Sequence, residues 1–259
     1  MSFGRPDSEA RLTYGGYLHV RELTALQQLE SSPPQHDEML FIIIHQVYEL
    51  WFKQVLHELD NIIGRLDQDD LLGAVRLLRR IQEIQRVLVA QLSVLETMTP
   101  VDFLSFRDHL MPASGFQSAQ FREVEYLSGL KEPKFLAYYE PGTPERTRLD
   151  ARLAGRSLRD AWQSLMTRRQ FSADAAGVAR AYTGADRHTD LFLLLEALIE
   201  YDELFLLWRL RHVQMVERVI GGKPGTGGSS GAAYLRTTTD RRVFPELWDA
   251  RSLLERSGP

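Results

Sequence analysis

Residues 37–63, DEMLFIIIHQVYELWFKQVLHELDNII, decide the fold class. Phe41, His45, Tyr48 and Phe52 recur in steps of three and four, while Glu38, Lys53 and Glu58 break the apolar character elsewhere. Residues so spaced share one face of a helix, and the spacing predicts a single long helix over Asp37 to Ile63. The same period recurs downstream. Asp69 to Thr97 opens on an aspartate able to cap a helix and repeats Leu71, Val75, Leu78, Ile81, Leu88, Leu92 and Leu95, so a second long helix is expected, stopped by Pro100. A third, strongly apolar helix is expected over Thr189 to Ile220.

The connecting segments read less regularly. Phe103 to Leu110 suggests a short helix, Pro112 to Gly115 a turn, and Phe116 to Leu127 a further helix. Pro133, Pro141, Gly142 and Pro144 mark loops within Lys131 to Asp186, with short helices expected around Leu158 to Thr167. Gly221 to Gly231, GGKPGTGGSSG, is a glycine-rich loop, and a closing element carries Phe244 to Leu247. No internal repeat and no alternating strand pattern stands out. An all-α fold, one helical domain spanning residues 1–259, is the economical reading.

Composition narrows the function. The 31 basic residues do not exceed the 35 acidic ones, so the basic excess of a nucleic-acid or anionic-membrane binder is missing, and small molecules or other subunits are the expected partners. With no cysteine there is no disulfide, thiolate metal site or cysteine nucleophile, and any metal must be held by His, carboxylate, Tyr or Met. Met1 to Gly16 lacks an apolar signal core, and the longest apolar run, Met39 to Ile44, is far too short for a membrane span. A cytoplasmic setting is the expectation.

Several side chains stand in settings that invite chemistry. His212 shares its helix face with Phe205, Trp208, Met215, Val216 and Val219. A neutral imidazole on so apolar a stripe suits an axial haem ligand, or else is a satisfied core histidine. His45, between Phe41 and Glu49 at one-turn spacing, suits a metal shared with Glu49, a handle for a ligand N–H, or a buried histidine bonded to its neighbour. Arg107, flanked by Phe103 and Phe106, suits capture of a carboxylate, or a salt bridge to Asp102 or Asp108. The loop from Gly225 to Gly231 follows a helix rather than a strand, which rejects a nucleotide cradle; it suits a linker, or a loop that lets Thr226 close on a small ligand. Tyr14, Tyr17 and Leu18 form an aromatic knot that either straps its own domain or reaches a neighbouring subunit.

In order and spacing, these segments together resemble the tryptophan 2,3-dioxygenase family over most of the chain. The carriers are Leu12 to Leu18 (LTYGGYL), His36 to Trp51 (HDEMLFIIIHQVYELW), Ser93 to Thr99 (SVLETMT), Phe106-Arg107-Asp108, Ser114 to Ser118 (SGFQS), Leu207 to His212 (LWRLRH), Gly225 to Gly231 and Phe244 to Leu247 (FPEL). The resemblance implies a helical fold enclosing one haem b per subunit, with His212 as the proximal ligand to iron. It implies L-tryptophan and O2 as substrates and cleavage of the indole C2–C3 bond to N-formylkynurenine. His45 then bonds the indole N–H, and Phe41, Ile42, Ile43, Ile44 and Phe103 line the substrate pocket. Arg107 pairs with the substrate carboxylate, and Thr226 sits near its ammonium group and a haem propionate. Ser114 and Gly115 form the turn beside the oxygen site. Tyr14, Tyr17 and Leu18, within an arm formed by residues 1–20, complete a neighbour's pocket in a homotetramer. The middle of the chain, Gly129 to Leu191, departs from the family by being short. Three alternatives remain open: a relative inserting one oxygen atom without opening the ring, a haem or indole sensor without turnover, and a helical interaction module without haem.

Overall fold

The computed structural model describes residues 12–184, 189–226 and 230–254. The glycine-rich segment 227–229 and the first part of the N-terminal arm, residues 1–11, lie outside the described residues. In chain order the helices are α1 (Tyr14–Leu18), α2 (Val20–Leu23), α3 (His36–Asp67), α4 (Leu71–Ala90), α5 (Leu92–Leu95), α6 (Pro100–Phe106), α7 (Ala119–Ser128), α8 (Pro144–Ala154), α9 (Leu158–Arg168), α10 (Ala175–Thr183), α11 (Thr189–Ile220), α12 (Ala232–Arg236) and α13 (Pro245–Ala250). Among the described residues there is no strand.

The three helices expected from periodicity form the frame. α4 packs along both α3 and α11, and their buried faces supply Leu59, Ile62, Leu66, Leu78, Ile81, Leu194, Leu195 and Leu198 to one continuous core. Fully burying one such side chain stabilises the fold by roughly 1.5–3 kcal/mol, so this seam is the main stabilising element. Three hydrogen bonds fix its register. Gln82 Nε2 donates to the Ala197 carbonyl at 2.9 Å, Gln85 Nε2 to that of Tyr201 at 3.0 Å, and the Tyr48 hydroxyl to that of Leu88 at 2.7 Å.

The second long helix is shorter than its apolar period suggests. It starts at an Asp70 cap, whose carboxylate accepts from Gly73 N at 3.0 Å, and breaks at Gln91. There the Ser93 hydroxyl takes the Ala90 carbonyl, and Val94 N turns back to Gln91 O, closing a tighter turn. Pro100 does not stop a helix but begins one, as the first residue of α6 behind a Thr99–Asp102 capping box. The expected helix over Phe103 to Leu110 divides into the end of α6 and a 3₁₀ turn, Arg107–Leu110, and that over Phe116 to Leu127 divides at Ser118 into Gly115–Gln117 and α7. The region between Lys131 and Asp186 is more helical than its prolines suggest, because Pro144 likewise opens α8.

The closing element is held by a buried charge. Asp202 of α11, fully buried, accepts from Val243 N at 2.9 Å, Phe244 N at 3.0 Å and Trp248 Nε1 at 3.1 Å. Burial raises its pKa and the three donors only partly oppose that shift. Replacing Asp202 by alanine would strand two buried N–H groups and an indole N–H, at about 1–3 kcal/mol each when unsatisfied. D202A is therefore expected to lose at least about 3 kcal/mol of stability in urea unfolding, and a loss below about 1 kcal/mol would contradict this role.

Candidate functional site

Toward one end of the frame the helices part around a cavity of about 590 Å³. The size suits a cofactor or ligand, for which roughly 300–1,000 Å³ is usual. Its wall takes Phe41, His45, Tyr48, Glu49 and Phe52 from the N-terminal half of α3, and Trp208, His212, Met215, Val216 and Val219 from the C-terminal half of α11. Leu92, Leu95 and Met98, just beyond the break in α4, close a third side.

His212 projects from α11 beside Trp208, whose ring lies parallel to the imidazole at 12° with centroids 5.1 Å apart. Burial, with a smaller contribution from His45, depresses its pKa to about 4, so the ring is neutral near pH 7. His45 is also held neutral: burial lowers its pKa, while the Phe41 carbonyl and Glu49 partly oppose the shift. Its Nδ1 lies 2.6 Å from the Phe41 carbonyl oxygen. A carbonyl only accepts, so Nδ1 carries the proton and Nε2 is left as an acceptor. His45 therefore presents a site for a donor N–H. Phe41 lies beside it, the ring centroids 4.1 Å apart and the planes tilted by 38°, and meets Phe103 and Phe106 at 5.7 Å each.

Glu49 is not free to share a metal with His45, because its carboxylate is bonded to Ser118 and Gln120. Among the described residues no group of three or more His, Asp or Glu side chains could hold a metal ion. A lone neutral imidazole on an apolar wall instead fits a metal that brings its equatorial ligands with it.

Polar groups gather at the mouth. Arg107 makes no ion pair with Asp102, whose carboxylate closes the capping box with Thr99; its guanidinium donates to the Pro224 carbonyl. The Thr226 hydroxyl donates to the Ala113 carbonyl at 2.6 Å, which sets Thr226 beside Ser114 and Gly115; all three line the cavity. The loop needs glycine at position 231, where φ is +61° and an added Cβ would stand 2.6 Å from the Lys223 carbonyl oxygen.

The isoleucines are placed differently from expectation. Ile42, Ile43 and Ile44 are not in the wall of this chain's cavity: Ile44 is buried in the core and Ile43 is exposed. A helix turns about 100° per residue, so only Phe41 and His45 of this run face inward. Tyr14, Tyr17 and Leu18 also lie outside the wall, on α1, with 80%, 67% and 43% of their surfaces exposed. Sequence reasoning missed a buried ionic group in the lining: Glu125 accepts from Arg209 at 2.8 Å and also from Arg122, whose guanidinium covers the Phe135 ring at 3.8 Å. Nothing in the Arg122–Glu125 stretch distinguishes it from an ordinary polar helix face, because Arg209 arrives from far along the chain.

Among the described residues, fold and site define an all-helical protein with a largely apolar chamber that carries a neutral histidine on each of two long helices. The sequence pattern of the family described as tryptophan 2,3-dioxygenase matches residues 4–147 and 156–254. The chain belongs to the tryptophan 2,3-dioxygenase family. Of the irregular middle region only residues 148–155 fall outside the match. A tryptophan 2,3-dioxygenase of Nocardioides sp. is 50% identical, with 98% of both chains covered. Those of an Anaeromyxobacter sp. and of Bacillus cereus are 45% and 40% identical, covering 95% and 96% of this chain and 97% and 95% of their own.

The histidine environment sets a pH dependence. An unfolded chain's histidine takes up a proton below about pH 6.5, whereas the folded chain keeps His212 neutral down to about 4. Within that window the unfolded state binds more protons, so stability is lost as pH falls. In urea unfolding of ligand-free protein, the wild type should lose stability between pH 6.5 and 4 more steeply than His212→Gln; equal slopes would contradict a buried neutral imidazole.

Proposed function

We infer that this chain is a haem-dependent enzyme that adds both atoms of O2 across the indole C2–C3 bond of L-tryptophan, giving N-formylkynurenine. The observation that carries this reading is the pair of neutral imidazoles in one apolar cavity: His212, suited to bind iron, and His45, with Nε2 free to accept. Family membership points the same way, and the continuous core supports one catalytic domain over residues 1–259.

His212 would hold one haem b per subunit, with Trp208 stacked against the ligating ring. When bound, haem supplies the activation of dioxygen. The remaining work is binding, orientation and exclusion of water. His45 Nε2 accepts the indole N–H, while Phe41 and Phe103 press on the ring. His45 acts by orientation and need not remove a proton. Arg107 exchanges the Pro224 carbonyl for the substrate carboxylate, a stronger charge-assisted pair. Thr226 stands beside the ammonium group, and Ser114 with Gly115 shapes the oxygen side. Tyr14, Tyr17 and Leu18 leave large apolar surface uncovered, which supports an arm reaching a neighbour's pocket in a homotetramer. No single helix among the described residues is long and apolar enough to cross a membrane, and the reading includes a cytoplasmic setting.

The deciding experiment is to load the protein with haem, reduce it without air, add L-tryptophan and O2, and identify the product. Gain of two oxygen atoms with an opened ring is expected; gain of one with the ring kept would replace this reading by mono-oxygenation, and stable binding without product by a sensor. His212→Ala is expected to lose haem, and unchanged retention would remove the ligand assignment. Arg107→Leu should lower kcat/KM for tryptophan by roughly 30-fold or more, corresponding to at least about 2 kcal/mol for a desolvated charge pair left without its partner.

A further inference from the structure

Glu49 lines the cavity one helical turn beyond His45, yet the chemistry above gives it no task. Its carboxylate is spent across the gap between α3 and the start of α7. One oxygen accepts the Ser118 hydroxyl at 2.5 Å, and the other accepts Gln120 Nε2 at 2.8 Å. The same amide nitrogen lies 3.0 Å from the Glu49 carbonyl oxygen. Ser118 is also the cap of α7, its oxygen accepting from Phe121 N at 3.2 Å. A hydroxyl has one proton, and once that proton points at Glu49 the lone pairs are free for the helix start. The carboxylate thus orients the cap.

The segment leading into Ser118 is closed on itself. Ser114 N donates to the Gln117 side-chain oxygen at 3.1 Å, and Phe116 N donates to the Ser114 hydroxyl oxygen at 3.3 Å. The Tyr139 hydroxyl reaches the Phe116 carbonyl at 3.3 Å. All five residues from Ser114 to Ser118 line the cavity. A piece of wall closed on itself is therefore joined at its downstream end to the helix that carries His45, through the Glu49 carboxylate and through the packing of α7 on α3, where Phe121 meets Phe52 at 5.5 Å.

We propose that Glu49 is a positioning residue that holds the 114–118 wall in register with His45 and so sets the width of the space left for dioxygen. The proposal rests on the haem-dioxygenase reading of this cavity. Charge-assisted bonds are roughly twice as strong as neutral ones, and Glu49→Gln would both remove the charge and set an amide nitrogen against one of two donors. A displacement near 1 Å at such a site can change a rate by about 100-fold.

The test uses haem-loaded wild type, E49Q, S118A, S118T and the E49Q/S118A pair. Three quantities are read: the C–O stretch of the ferrous carbon monoxide complex, kcat/KM for O2, and the Kd of tryptophan without O2. E49Q and S118A are each expected to shift or broaden the C–O band and to lower kcat/KM for O2 about tenfold, with the pair no worse than either alone. S118T, which keeps the hydroxyl, should restore both, and tryptophan Kd should stay within about twofold throughout. An unchanged band with unchanged O2 kinetics in E49Q overturns the proposal, as does a lowered melting temperature without either effect. If wild type takes up no haem, the underlying reading fails with it; if it does and E49Q behaves as wild type, only the role of Glu49 falls.

Discussion

The site depends on the way one seam ends. α4 separates α3 from α11 only as far as Ala90, and along that length the three helices close on leucine and isoleucine. Past the break at Gln91 the spacer gives way to Leu92, Leu95 and Met98, and the two outer helices face each other across a chamber. The same helices therefore supply stability at one end and a ligand site at the other. The glutamine and tyrosine bonds from α4 to α11 and α3 lie between these ends and fix the register in which the two histidines meet the chamber.

Charge is distributed to suit that arrangement. Both histidines are neutral, so the chamber wall carries imidazole without the cost of burying a cation. Where ions are buried they are paired: Arg122 and Arg209 on Glu125, and Asp202 on three donors from the closing element. Removing Glu125 would leave two arginines buried without their partner, and removing Asp202 would leave neutral N–H donors unsatisfied, so each group holds its neighbours in place because breaking it is costly.

The frame was legible because α3 and α11 carry an uninterrupted period of three and four over 32 residues each. His45, Arg107 and His212 were legible as polar groups in apolar settings, and their order along the chain carried the family. Other features were not readable for physical reasons. Pro100 and Pro144 look like interruptions, yet each opens a helix, because the first helical residue needs no N–H donor and a fixed φ helps it start. The break at Gln91 comes from a serine hydroxyl competing for a carbonyl, which hydrophobic period does not record. Ile42 to Ile44 look like pocket material by composition, but helical rotation turns them away. The Arg122–Glu125–Arg209 group and the Glu49–Ser118 bond join positions far apart in sequence, and neither leaves a local signal.

The mouth suggests how such a chamber can be selective without being tight. Arg107 already has a carbonyl partner on the glycine-rich loop, and Thr226 has one on the opposite edge. On the proposed reading, an incoming amino acid gains only the difference between its own pairing with these groups and the bonds it displaces, so orientation rather than affinity is what the anchors contribute. At Gly231 the backbone passes too near the Lys223 carbonyl for any side chain, which keeps the described flanks of the glycine-rich segment together. A ligand lacking either the carboxylate or the ammonium group would leave one original bond in place. Discrimination would then fall on the whole amino acid rather than on the indole alone.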